Sequence, residues 1–80
     1  MSTIDRAKLR RTTDRIIGIR LKARRIELGL SQTALANEID VSYQQVQKYE
    51  NGTDRIAAST LLEICARLGV SITYFFEGIR

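Results

Sequence analysis

Residues 32–51 read QTALANEIDVSYQQVQKYEN and predict two short helices joined by a tight turn. Ser31 and Ser42 each precede a helical pattern, and serine is a favoured N-cap residue. Two helices that cross at about 90–120° need a small residue where they approach each other, and Ala36 is placed for that role. Asp40 occupies the turn, where a residue that tolerates positive φ is needed.

The apolar positions of this stretch recur at helical spacing, so each helix has one face directed inward. The first helix is predicted over residues 32–38 and the second over residues 43–50. The residues expected to be buried at this corner are Leu35, Ala36, Ile39, Val41, Val46 and Tyr49. The outward face of the second helix then carries two i, i+4 pairs, which are Tyr43 with Gln47 and Gln44 with Lys48.

Three further helices are predicted outside this stretch. One begins at Asp14 and ends at Gly29, with Ile17, Leu21 and Leu28 on its apolar face. A helix over residues 58–68 has the apolar stripe Leu61, Ile64, Cys65 and Leu68, and Ser71 is expected to cap a last short helix that carries Ile72, Phe75 and Phe76. No segment alternates like a strand, so the expected fold is all-α, a compact bundle of five short helices.

The charge distribution divides the chain into two parts. Its 80 residues allow one domain, placed at residues 14–80, and carry a net charge of +4. Nine basic and two acidic residues lie within residues 1–25, against four basic and seven acidic residues in the remainder. Residues 1–13 lack a clear apolar period and are expected to form a flexible basic arm. Such a cationic end suits DNA or an anionic membrane surface.

Several classes of function have no support in the composition. One cysteine and no histidine exclude an internal disulfide and disfavour a metal site or a catalytic thiol at Cys65, so no metal, no cofactor and no enzyme activity are expected. No apolar run has the length of a signal peptide or of a membrane span. The expected protein is soluble and cytoplasmic, without a role that requires insertion into a membrane.

Three segments together resemble the lambda-repressor/Cro (Xre) family of helix-turn-helix regulators. They are IGIRLKARRIELGLSQTALA at residues 17–36, VSYQQVQKYENG at 41–52 and LLEICARLGVSITYFF at 61–76. The resemblance implies a lambda-repressor-like DNA-binding domain whose motif occupies about residues 32–51. The family usually has glycine in the turn, where this chain has Asp40.

In that family the helix equivalent to residues 43–50 enters the major groove and reads base edges. The resemblance implies base-reading roles for Ser42, Tyr43, Gln44, Gln47 and Lys48. A glutamine amide offers a donor and an acceptor, which match N6 and N7 of adenine. The alternative interpretation is that these polar side chains only keep a surface helix soluble.

The resemblance also implies contacts with the DNA backbone and one structural ion pair. Phosphate-contacting roles are expected for Gln32, Asn51 and Arg55, and for Arg10 and Arg11 of the basic arm. Arg25 and Glu50 match family positions that form a buried ion pair, and both are interpreted as structural.

The expected function is therefore sequence-specific binding of double-stranded DNA by a bacterial or phage transcription regulator. A repressor is expected rather than an activator. The expected assembly is a homodimer on a near-palindromic operator. One alternative is a protein-interaction module, such as an antitoxin-type partner in which DNA binding is secondary. Another is a membrane-surface role for the basic arm.

Overall fold

Five α-helices follow one another along residues 5–79, the part of the chain that a computed structural model describes. They are α1 (Arg6–Glu27), α2 (Gln32–Glu38), α3 (Tyr43–Asn51), α4 (Ala58–Leu68) and α5 (Thr73–Phe76). The described residues contain no strand, and the predicted all-α class is confirmed. The bounds of α2 and α4 are those predicted, and α3 is one residue longer than predicted.

The start of α1 differs from the prediction. The helix begins at Arg6 instead of Asp14, so residues 6–13 are helical and the predicted start of this helix is wrong. The Asp5 side chain accepts a hydrogen bond from the Lys8 backbone N–H at 3.1 Å, which caps this first turn. Alanine, leucine, arginine and lysine favour a helix here even though no buried face imposes an apolar period. Residues 1–4 lie outside the described part, and the division of the chain at residue 14 stays a prediction.

Residues from all five helices or their flanking turns form one core. The largest fully buried side chains are Phe75, Leu21, Leu35, Ile64, Leu68 and Val46. The predicted burial of Leu28 is wrong, because it follows the last helical residue as the C-cap and its side chain is 42% exposed. Leu30 packs against the core instead. Burial raises the pKa of the Cys65 thiol above its ordinary value, so this side chain is a neutral part of the core.

Caps and turns fix the corner between α2 and α3. The hydroxyl of Ser31 accepts a hydrogen bond from the Ala34 N–H at 3.0 Å, and that of Ser42 accepts one from the Gln45 N–H at 3.1 Å. Asp40 has a φ of 57°, the positive value that the turn was expected to require. The predicted cap at Ser71 is wrong. The N-cap of α5 is Ile72, and the Ser71 hydroxyl lies 2.8 Å from that of Thr73.

Hydrogen bonds join α1 to α4 and α5. Tyr74 donates its hydroxyl to the Arg20 carbonyl at 2.7 Å, and Arg20 donates to the Tyr74 carbonyl at 3.2 Å. Arg24 donates to the carbonyl of Leu68 at the end of α4, where a cation also complements the helix dipole. Among the described residues no helix combines the length and the apolar character that crossing a membrane requires.

Candidate nucleic-acid interface

The outward face of α3 is a row of exposed polar side chains. Val46 and Tyr49 are buried against the core, which fixes the rotation of the helix about its axis. All five residues for which base-reading roles were expected are exposed on or beside α3, namely Ser42, Tyr43, Gln44, Gln47 and Lys48. The structure therefore brings these residues to one surface, with the aromatic ring of Tyr43 at its amino-terminal end.

Three glutamines of α3 differ in their hydrogen bonding. Gln45 donates its side-chain amide to the Asp54 carboxylate at 3.0 Å and so holds the loop that follows α3. Within residues 5–79 the side chains of Gln44 and Gln47 make no hydrogen bond. Their amides can therefore bind an external donor and acceptor without breaking an internal contact.

Gly18 allows α1 to approach the carboxyl end of α3 closely. A Cβ at this position would lie 2.4 Å from the carbonyl oxygen of Tyr49 and 2.6 Å from that of Glu50. Real Cβ atoms essentially never approach so closely, and neither obstacle is a flexible side chain. Gly18 was not identified from the sequence, although a glycine within a long helix is a signal for such an approach.

A buried ion pair connects α1 to α3. Arg25 Nε donates to Glu50 Oε2 at 2.6 Å, and Arg25 Nη2 donates to Glu50 Oε1 at 3.1 Å. The two side chains are only 10% and 2% exposed. Arg25 also donates to the Leu30 carbonyl at 2.8 Å. This bidentate geometry fixes both the position and the orientation of α3 relative to α1.

Gln32 takes part in the same network. Its Nε2 donates to Glu50 Oε1 at 3.0 Å, and its side chain is half-buried. The first residue of α2 is thereby tied to α3. A phosphate contact was expected from Gln32, whereas this hydrogen bond to a residue 18 positions away was not predicted.

The segment after α3 carries the other two residues expected to contact phosphate. Asn51 is exposed at the last position of α3. Arg55 is 65% exposed and lies 3.3 Å from the Asp14 carboxylate, measured from its Nε. Gly52 packs on α1, since a Cβ there would lie 2.9 Å from Arg15 Cα. The end of α3 and the exposed beginning of α1 therefore adjoin each other.

The basic residues of α1 have two kinds of surroundings. Arg20, Arg24 and Arg25 bond to groups of the protein, so their charges are not fully available to a polyanion. The other basic residues of α1 are exposed on its surface, namely Arg6, Lys8, Arg10, Arg11, Arg15 and Lys22. Arg11 precedes Gly18 by seven residues, or two turns, and so lies on the side of α1 that faces α3. Its neighbour Arg10 is displaced by about a quarter turn.

The chain is similar to transcriptional regulators over most of its length. The sequence model described as helix-turn-helix matches residues 21–75. An uncharacterized transcriptional regulator in the ATPase CF(0) region of Rhodospirillum rubrum is 48% identical over 67 residues, which cover 84% of this chain and 62% of that protein. An uncharacterized HTH-type transcriptional regulator of Sinorhizobium fredii is 41% identical over 82 residues, covering 99% and 57% respectively. The chain thus spans less than two thirds of either relative.

A solved structure has the same fold. The crystal structure of the clp gene regulator ClgR from Corynebacterium glutamicum superposes on 80% of this chain and 68% of that chain. The TM-score is 0.77 at 23% sequence identity, a likeness that establishes the arrangement of the helices. The relatives and the solved structure in these comparisons are described as regulators.

Proposed function

Because the chain belongs to the lambda-repressor-like (Xre) family of helix-turn-helix proteins, we propose that it binds specific sequences of double-stranded DNA and represses transcription. The observation that carries this proposal is the exposed polar face of α3, on which the amides of Gln44 and Gln47 have no hydrogen-bond partner within residues 5–79. The major groove admits an α-helix and displays the base edges that such amides can recognise. The protein acts in the cytoplasm, where bacterial DNA lies.

Ser42, Tyr43, Gln44, Gln47 and Lys48 are proposed to read base edges in the groove. Gln44 is exposed near the amino end of α3, the part of the recognition helix that contacts base edges in helix-turn-helix proteins. Its amide can donate to N7 and accept from N6 of adenine only if it is not already bonded. The contrast with Gln45, whose amide is bound to Asp54, separates a reading role from a structural one.

Replacing Gln44 with alanine is expected to weaken binding to the preferred sequence by about 1–3 kcal/mol while leaving non-specific binding unchanged. The matched control is Gln45→Ala, which removes the same amide one residue later on the half-buried side of α3. It should lower the melting temperature slightly and keep the base preference. Fluorescence anisotropy with the preferred duplex and a scrambled duplex measures both effects. A folded Gln44→Ala protein with unaltered preference would show that α3 does not read sequence through this residue.

Phosphate contacts are proposed for Gln32, Asn51, Arg55, Arg10 and Arg11. These residues flank α3 or lie on the exposed beginning of α1, next to the end of α3. Gln32 would contact a DNA phosphate while its amide is also bonded to Glu50, and would so connect the DNA backbone to α3. Phosphate contacts set the register of the protein on the duplex and carry little direct sequence information.

Arg11→Ala is expected to lower affinity for every duplex and to make the salt dependence shallower by about 0.9 in the slope of log K against log salt. The reason is the position of Arg11 on the side of α1 that faces α3. Arg67→Ala, on α4, is the control because it removes one exposed cation elsewhere. Titrations over a range of salt concentrations test the difference. Equal slopes for the two variants would show that Arg11 does not contact a DNA phosphate.

The protein is proposed to bind its operator as a homodimer. Ile72 and Phe76 remain 43% and 41% exposed at the carboxyl end, and apolar surface of this kind favours association. A two-fold pair of α3 helices would read a near-palindromic operator whose half-sites lie about 34 Å apart.

A further inference from the structure

The solvent face of α1 carries a regular apolar pattern that the core does not use. Five apolar residues and Thr12 repeat at alternating intervals of three and four, which is the a and d spacing of a heptad. We call them the α1 seam, consisting of Leu9, Thr12, Ile16, Ile19, Ala23 and Ile26. The seam extends over about 26 Å of helix.

Within residues 5–79 every residue of the seam is exposed except Ile16, which is half-buried. Leu9, Ile19 and Ile26 are 40%, 59% and 57% exposed. The opposite side of α1 is the one that packs, since Gly18, Leu21 and Arg25 are its buried residues. A contiguous apolar row on a helix of 22 residues is typical of a surface that binds another helix.

Charges beside the seam discriminate between possible occupants. In heptad terms one flank carries Lys8, Arg15 and Lys22, all exposed and all cationic. An antiparallel copy of α1 would place Arg15 opposite Arg15 and Lys8 opposite Lys22. A parallel copy would place Arg15 opposite Arg20 but also Lys22 opposite Glu27, so its charges give no net attraction. Like charges therefore oppose the antiparallel pair, and neither arrangement lines the cationic flank with acidic residues.

The other flank carries Thr13, Arg20 and Glu27, and it attracts acidic residues less strongly. Arg20 donates to the Tyr74 carbonyl, and Glu27 adds a negative charge that is itself paired with Arg24. A complementary partner would therefore concentrate its acidic residues along the flank of Lys8, Arg15 and Lys22.

We propose that the α1 seam binds an amphipathic helix of another protein, one whose apolar stripe is bordered by aspartate and glutamate. This partner is distinct from the DNA of the proposed function, because the seam faces away from the side of α1 that contacts α3. Arg15 borders both surfaces, because it also packs against Gly52 at the end of α3.

A pair of synthetic peptides tests the proposal with the full chain. Both contain four heptads with isoleucine at a and leucine at d, and they differ only in having glutamate or lysine at e and g. Fluorescence anisotropy should show that the chain binds the glutamate peptide at least about tenfold more tightly than the lysine peptide. Ile19→Asp should reduce binding of the glutamate peptide by about tenfold or more, and Leu62→Asp, on α4, should not change it.

A charge swap at the flank gives a second readout. Lys22→Glu should weaken binding of the glutamate peptide and strengthen binding of the lysine peptide. Thermal melts of each variant check that it is folded. The proposal is wrong if the wild-type chain does not bind the glutamate peptide, or if Ile19→Asp binds it as tightly as the wild type does. It is also wrong if sedimentation shows that Ile19→Asp abolishes self-association of the chain, because the occupant would then be a second copy.

Discussion

Replacing Glu50 with alanine is expected to lower the free energy of unfolding by about 3–5 kcal/mol, because it leaves the Arg25 guanidinium buried without its counter-charge. The Arg25 side chain is only 10% exposed and retains one described bond, to the Leu30 carbonyl. Gln32 loses its acceptor at the same time. A small domain has about 5–15 kcal/mol of stability in total, so the variant loses a large share of it and should unfold at a clearly lower urea concentration. Urea denaturation followed by circular dichroism measures the loss.

The control removes both charges together. In Arg25→Met with Glu50→Leu no buried ion remains, and apolar side chains fill the space. Replacement of this kind is often neutral or stabilising, so the double variant should be more stable than Glu50→Ala. A loss below about 1 kcal/mol for Glu50→Ala would mean that solvent reaches Arg25, contrary to the buried geometry described here.

Gly18→Ala is expected to destabilise the protein by about 1–3 kcal/mol, through overpacking between α1 and α3. The sign of this change in stability is informative, because replacing glycine with alanine within a helix ordinarily stabilises the protein by about 0.5–1 kcal/mol. Here the new Cβ would lie 2.4 Å from the Tyr49 carbonyl oxygen, so backbone must move. Since α3 is the element displaced, affinity for the preferred DNA should fall even in molecules that remain folded.

Gly29→Ala provides the comparison for this variant. Gly29 has a φ of +73° and no atom within 4 Å of an added Cβ, so its substitution tests left-handed backbone strain without a clash. It should destabilise the chain while leaving DNA affinity of the folded fraction unchanged. Thermal melts and duplex titrations on both variants distinguish the two effects. A Gly18→Ala protein more stable than the wild type would contradict the close approach of α1 and α3.

Local sequence signals were sufficient for the middle of the fold. Ser31 and Ser42 cap their helices through bonds to the backbone, and the apolar positions between them are buried, so the bounds of α2 and α3 could be predicted to within one residue. The start of α1 could not be predicted, because residues 6–13 bury no side chain and contain too few apolar residues to show a period by themselves. The role of Gly18 could not be predicted either, because it depends on the contact between α1 and α3, which local propensity does not encode.

The exposed face of α3 was predictable, because it depends on helix rotation alone. Burial of Val46 and Tyr49 implies which side chains of α3 point outward, and the structure has them there. Side-chain partners from distant segments were not predictable by the same means. Gln45 bonds to Asp54 and Gln32 to Glu50, whereas Gln44, of identical chemistry, is unbonded within residues 5–79. Likewise, the count of basic residues near the amino end did not indicate that Arg24 bonds to the end of α4.

Selection of bound sequences from a random pool of duplexes tests the central claim, that α3 reads base sequence in the major groove. The wild-type chain is predicted to enrich a motif made of two related half-sites about 34 Å apart. The same selection with Gln44→Ala should relax the preference at one position in each half-site and retain the spacing. Enrichment of no motif by the wild type, or of an unchanged motif by folded Gln44→Ala, would contradict the claim.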